Sequence, residues 1–419
     1  MQIHLSSRDK KKNLLVLLAS LFVVSIGFGI TLPVLPFYTQ RLGAAAGISP
    51  RLIAVHIGLL TSIFPLMQLL FAPLWGRLSD RTGRRPLVLL GIAGSGVSLL
   101  LFGMASSLWQ LYGARVLGGV LASAVTPAAT AFVADSTSND KRGRGMAWLG
   151  TAVSLGAVAG PAIGGLIAWQ NWHIYSRYGH VVIDSFSLPF FLAAALTLLT
   201  LFAAMRWLPE SLDSKRASAI RGSMLSDWRK LGRSIRSILG LSILSQLGLT
   251  LFETVFVLYS KDKLGYGPSQ VAVAFMVCGA VMALFQGLAV GYLSGRVSEM
   301  VQLAVGFSLM GVGIGLLLLV QTLILNLGAI GLLALGLAFV SPNLAALTSK
   351  RSGTSLTGTG LGLQTSAIYL GQAIGPLLGA VLFAWKAEAP YLFTAIALAS
   401  VGVLIGRKVL RQRNHLIGV

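Results

Sequence analysis

Gly76-Arg77-Leu78-Ser79-Asp80-Arg81-Thr82-Gly83-Arg84-Arg85-Pro86 concentrates charge between two long apolar runs, at about 53–75 and 87–105. Part of it recurs: a shift of 215 residues lays Gly76, Leu78, Ser79 and Arg81 on Gly291, Leu293, Ser294 and Arg296. The same shift pairs Pro127 with Pro342, Gly156 with Gly371, Gly160 and Pro161 with Gly375 and Pro376, and Gly164 with Gly379. Three separated segments agreeing on one offset indicate duplicated halves, as in transporters whose halves rock about a midplane site.

The remainder of the chain fits that reading. Of its 419 residues 55% are hydrophobic and 11% charged, against roughly 25% charged in a soluble domain. A helix needs about 20 apolar residues to cross the hydrocarbon, and twelve such runs are readable: 14–38, 53–75, 87–105, 109–134, 146–169, 187–208, 237–260, 269–293, 300–320, 323–348, 356–383 and 389–406. The fold class expected is an all-α membrane protein with twelve transmembrane helices in two pseudo-symmetric six-helix bundles. The first run is too long for the roughly 7–15-residue core of a signal peptide and is read as a retained helix.

The net charge of +21 does not indicate nucleic acid, because the basic residues lie in short clusters between apolar runs without stacking aromatics. With both termini placed in the cytoplasm, 26 of the 33 Lys and Arg fall on the cytoplasmic side and 6 outside, with Arg115 inside a helix. That excess fixes orientation. Trp75, Trp109, Trp169, Trp207 and Trp385 fall near helix ends, where anchoring at the headgroup level is expected. The polar stretch 209–236 divides an N-terminal bundle, 1–208, from a C-terminal one, 237–419. Met224, Leu225, Trp228, Leu231 and Ile235 recur within it at helical spacing, as in a membrane-surface or solvated linker helix.

These motifs resemble the major facilitator superfamily over nearly the whole chain. The stretch from Gly76 to Arg85 looks like that superfamily's loop signature between helices two and three. The resemblance implies a gating loop of Gly76, Asp80, Arg81, Gly83, Arg84 and Arg85, with Asp80 near a helix N-terminus or an arginine. Gly156-Ala-Val-Ala-Gly160-Pro161-Ala-Ile-Gly164-Gly165 resembles the antiporter motif of exporters; small residues four apart permit close helix approach. Arg115, in Leu111-Tyr-Gly-Ala-Arg115, resembles the basic residue of the helix-four motif implicated in proton coupling. An intramembrane arginine costs about 2.5–3.5 kcal/mol, so it should face a cavity or partner, or snorkel toward the surface near Trp109.

Leu251-Phe-Glu253-Thr-Val-Phe-Val-Leu-Tyr259, with Ile63-Phe64-Pro-Leu-Met-Gln68 and Gly371-Gln372-Ala-Ile-Gly375-Pro376, is similar to the NorA-like drug/proton antiporters. Eleven of the twelve acids fall in tails, loops or helix ends; Glu253 alone lies inside a span. Desolvation favours its neutral form and an approaching cation its carboxylate, so it is the expected proton carrier, unless it is a structural glutamate bonded to a neighbouring helix. Some relatives of this branch carry a second acid and a basic residue in helix ten, where Ala338 and Ser341 stand here. By resemblance Ser25, Phe28, Phe64, Gln68 and Gln372 would join Arg115 and Glu253 in lining the substrate cavity.

No cofactor or metal is expected. His173 and His180 lack further ligands at metal spacing, and Gly358-Thr-Gly360-Leu-Gly362 follows no strand. The expected partners are a small-molecule substrate, protons and membrane lipid, but no nucleic acid, for a monomer in the inner (plasma) membrane. The function expected is export of apolar or cationic small molecules, drugs among them, in exchange for protons. The competing readings are a lipid or glycolipid flippase of the same fold, and a receptor or scaffold that transports nothing.

Overall fold

The computed structural model describes residues 7–137, 142–169, 176–178, 181–211, 232–288, 292–293 and 296–417. Twelve helical stretches among them are long and apolar enough to cross a membrane: α1 (Lys12–Ala45), α2 (Pro50–Thr82), α3 (Arg84–Gly103), α4 (Leu108–Ser136), α5 (Trp148–Ile167), α6 (Leu188–Trp207), α7 (Ile235–Leu264), α8 (Pro268–Gln286), α9 (Glu299–Leu316), α10 (Leu323–Ser352), α11 (Thr357–Trp385) and α12 (Ala389–Gln412). A short antiparallel ribbon between α5 and α6, β1 (Ser176–Tyr178) and β2 (Val181–Ile183), sets Ser176 opposite Ile183.

Two boundaries differ from the sequence reading. The charged stretch read as a loop is mostly the last two turns of α2, and Gly83 alone joins α2 to α3. Its φ of +109° is strained for any side chain. The second difference lies between α10 and α11, where helical hydrogen bonding continues unbroken from Leu323 to Trp385. Straight, those 63 residues would reach about 95 Å. Yet Ser352 lies against Gly360, which a straight helix would put about 12 Å away, so the chain doubles back there without leaving helical geometry.

The chain divides into two compact units: Met1–Ser49 with Ile63–Arg221, and Pro50–Ser62 with Gly222–Val419. Most of the expected linker helix, 212–231, lies outside the described residues.

In the first unit α1 packs along α5 through the glycines of the exporter-like motif. A Cβ on Gly160 would come within 2.6 Å of Gly29 Cα and Ile26 O, and one on Gly29 within 2.8 Å of Pro161 Cδ. Gly156 meets Phe22 O and Ser25, Gly164 meets Ile30, and Gly165 is also buried. In lipid no hydrophobic force draws helices together, so such close backbone contact supplies the cohesion.

The second unit repeats the device. Gly371 lies on Ile243 O and Gln246, Gly375 on Leu247 O and Thr250, and Gly379 on Leu251 and Val255. The α5 and α11 glycines are related by 215 residues, their α1 and α7 partners by 221: Phe22 with Ile243, Ser25 with Gln246, Ile26 with Leu247, Gly29 with Thr250.

Helical hydrogen bonding lapses in α4 at Ser123 and Ala124, where the Ala124 N–H bonds three residues back, to Leu121 O at 3.1 Å. Val120 O accepts instead from Ser123 Oγ at 2.7 Å and Trp75 Nε1 at 2.6 Å. Trp75 is therefore an interhelix strut packed on the α1–α3–α4 core, not the interfacial anchor expected of it. Trp109 and Trp385 are about four-fifths exposed, as anchors should be, and Trp207 is exposed beneath Lys12 Nζ at 4.8 Å.

Candidate functional site

In the first unit, α4 turns Arg115 inward. The residue is 5% exposed, so it does not snorkel past Trp109. Its guanidinium lies 5.6 Å from the Phe64 ring centroid and 5.2 Å from that of Phe102, held between aromatic faces. Its Nε has no hydrogen-bond partner among the described residues. Phe64 in turn packs on Phe28 at 5.9 Å, and Phe28 is 41% exposed. The structure thus brings Phe28, Phe64 and Arg115 together. Gln68 is half-buried one turn beyond Phe64. Ser25 belongs to the α1–α5 seam, its Cβ against Gly156.

At the Gly83 end of this unit, one ionic network ties four helices. Arg84, 8% exposed in its side chain, pairs with Asp80 on α2, bonds Ser79 Oγ at 3.3 Å, and donates from Nε to Asp135 at the end of α4 at 3.1 Å. Glu210, three residues past α6, accepts the backbone N–H groups of Arg84 at 2.8 Å and Arg85 at 3.2 Å. A carboxylate on these orphan donors at the start of α3 is favoured by hydrogen bonding and the helix dipole. Arg85 completes the clamp by donating to Met205 O on α6 at 2.7 Å. Of the two positions open to Asp80, the structure gives it the arginine; the acid at the helix N-terminus is Glu210. Gly76 is a contact point of α2 with Pro127, and Arg81 is exposed.

In the second unit, Glu253 is half-buried on α7 and has no hydrogen-bond or salt-bridge partner among the described residues. The buried Cys278 lies on α8, the next helix along the chain. Ser242, Gln246, Thr250 and Glu253 follow one another on α7 at spacings of four, four and three, which puts them on one face. Gln372 on α11 donates from Nε2 to Gln246 Oε1 at 3.1 Å, two turns from Glu253.

Sequence reasoning missed three partners. Gln246 is the counterpart of Ser25 at the 221-residue shift relating α1 to α7. Asp135 and Glu210 were counted only as helix-end acids, although each is 51 or more residues from the arginine cluster it serves. Among the described residues, no group of three or more His, Cys, Asp or Glu is arranged to hold a metal ion, and His173 and His180 lie outside them.

Comparison with known proteins agrees with this architecture. Residues 17–376 match the family model of the Major Facilitator Superfamily. The chain is 30% identical to Multidrug resistance protein 2 of Bacillus subtilis (strain 168) over 94% of each chain. It is 29% identical to Tetracycline resistance protein, class E, of Escherichia coli over 90% of this chain and 89% of that one. With Quinolone resistance protein NorA of Staphylococcus aureus (strain MSSA476) it shares 27% identity over 96% and 97%. Among solved structures it resembles the human organic anion transporter MFSD10, with a TM-score of 0.69 at 23% identity over 94% of this chain and 99% of that one. A peptide transporter POT matches with a TM-score of 0.75 at 16% identity over 96% and 94%; these two likenesses concern the fold alone. With helices, repeat and family match in accord, the chain is a multi-pass membrane transporter and belongs to the Major Facilitator Superfamily.

Proposed function

We propose that this transporter exports apolar or cationic small molecules in exchange for protons, its two halves giving access to each side of the membrane in turn. It works as a monomer in the plasma membrane, with both termini and the Gly83 end in the cytoplasm, as the excess of basic residues favours. Relatives named for multidrug, tetracycline and quinolone resistance support the substrate class.

The observation that carries the proposal is Glu253, a carboxyl group within a membrane span that no described cation or donor satisfies. An unpaired charge there is costly, so the empty site takes up a proton. A bound cation, or an opening to water, restores the carboxylate and releases that proton. Proton and substrate then exclude one another at one group, which is the requirement for exchange. Arg115 adds a fixed positive charge buried within a span of the first half. The Arg84 network stabilises one end-state of the cycle by locking α2, α3, α4 and α6 at the cytoplasmic side.

The test is dye efflux and substrate-induced proton release in reconstituted vesicles, with and without a protonophore. Glu253→Gln is expected to abolish both gradient-driven signals while retaining substrate binding. Undiminished gradient-driven efflux by that variant overturns the reading, as does translocation of labelled lipid without any dye transport.

A further inference from the structure

The α7–α11 interface is more polar than packing requires. Gln364 Nε2 lies 3.4 Å from Ser242 Oγ, and Gln372 donates to Gln246 at 3.1 Å. Thr250 and then Glu253 follow on the same face of α7. Ser242, Gln246, Thr250 and Gln364 are all buried, although apolar side chains would fill the same space without desolvating two amides. This row runs from Glu253 toward the Ile235 end of α7. In the other direction the surroundings are dry. The rings of Phe252, Phe256 and Phe275 pack together at centroid distances of 5.4 and 6.3 Å, beside buried Val255 and Leu258. Toward Leu264, the hydroxyls of Thr254 and Ser260 turn back onto α7 carbonyls, as those of Ser242 and Thr250 also do, so the glutamine amides alone set the row apart.

The row stops short of the membrane surface. Ile235 and Leu239 of α7 pack with Leu363 and Ala367 of α11 in a buried apolar cluster that reaches from the Ile235 end to Ile243, alongside Ser242. From Ser242 to Ile235 is about 10 Å of helix, against about 16 Å from Glu253 to Leu264.

We propose that the α7–α11 seam is the route by which protons pass between Glu253 and the Ile235 end, with Gln246 and Gln372 as its positioning residues and the Ile235–Leu239–Leu363 cluster as its door. The inference rests on Glu253 being the proton carrier. Primary amides do not themselves surrender protons readily, but they donate and accept hydrogen bonds and can hold water in file. When the door parts and the close contact of α7 with Gly371 and Gly375 loosens to admit water, the Glu253 O–H bond breaks and its proton joins a water molecule of the file as hydronium, leaving the carboxylate. Successive waters pass the proton outward, and uptake reverses each step. Cys278 of α8 is buried, and among the described residues no Lys or Arg pairs with Glu253.

The test is a pH jump on the purified full chain in vesicles, following proton uptake and release with a pH-sensitive dye. The part of the signal lost in Glu253→Gln belongs to Glu253; if none is lost, the carrier assignment itself fails. Given that component, the double variant Gln246→Leu/Gln372→Leu is expected to slow it about tenfold while leaving its amplitude unchanged. Leu239→Ala is expected to accelerate it by a similar factor, a change that general loss of packing would not produce in the opposite direction. Gln246→Asn should recover most of the rate. Wild-type rates in both the leucine double variant and Leu239→Ala overturn the route while leaving the carrier in place.

Discussion

Lys350 pairs with Glu299 across 51 residues, the separation that also divides Asp135 from Arg84, and each partner stands 215 residues from its counterpart with the sign of charge exchanged. Both pairs join the start of the third helix of a half to the end of the fourth. The repeat has preserved an ionic tie while inverting it. At the opposite helix ends a second tie recurs: Arg41 with Asp184 before α6, and Lys263 with Glu388 before α12 at 3.7 Å.

The two inverted ties differ in burial, and their deletion should differ accordingly. Lys350 is 65% exposed in its side chain and Arg84 8%. Lys350→Ala is expected to cost less than about 1 kcal/mol. Arg84→Ala leaves two partly buried carboxylates without their cation and should cost about 3 kcal/mol. Thermal unfolding in detergent checks the order; an equal loss for the two variants contradicts it.

Gly83→Ala is expected to destabilise by about 1–3 kcal/mol, because alanine is strained at that φ. Its new methyl group would also strike the Glu210 carboxylate. Adding Glu210→Ala should therefore cost less in that background than in the wild type, where it removes the cap of α3. A double-mutant cycle on apparent melting temperatures measures the coupling.

Gly160→Val and its counterpart Gly375→Val should each force apart a pair of helices in contact through backbone. Overpacking of this kind costs about 1–3 kcal/mol, and transport should fall with it. Gly113, with nothing near its Cα hydrogen, is the control: Gly113→Ala is expected to leave efflux unchanged. Parallel efflux and unfolding measurements on the three variants decide the matter.

Arg115→Lys keeps the charge and loses the flat guanidinium that fits between Phe64 and Phe102. A loss of about 1–2 kcal/mol is expected, with transport reduced although the protein reaches the membrane. Full activity in the lysine variant would mean that charge alone matters at this position.

The twelve spans and the glycine rows were legible because both depend on one-dimensional pattern: unbroken apolar length, and small residues four apart. Gly156, Gly160 and Gly164 already implied a close helix contact, and their repeat implied a second. What stayed hidden needed three dimensions. Ser25 and Gln246 occupy equivalent places, but the shift between halves changes from 221 to 215 along the chain, so a search at one constant offset passes over them. Arg84 and Glu299 share no chemistry that similarity would register, because the exchange of sign erases it. Glu210 could have been read as a cap only by knowing that the end of α6 returns to the start of α3. Trp75 sat near a predicted helix end and was expected at the headgroups; the longer α2 and the break in α4 gave its indole a carbonyl instead.

That break divides the labour of α4. One piece, Leu108–Ala122, holds Arg115 among aromatic rings, and the other, Val125–Ser136, carries Asp135 to the ionic network. Where the ladder of main-chain bonds is interrupted, torque is not handed on stiffly. On the proposed cycle the lower rod would swivel with the latch while the upper one keeps its cation in register, unlocking the edge without disturbing the centre.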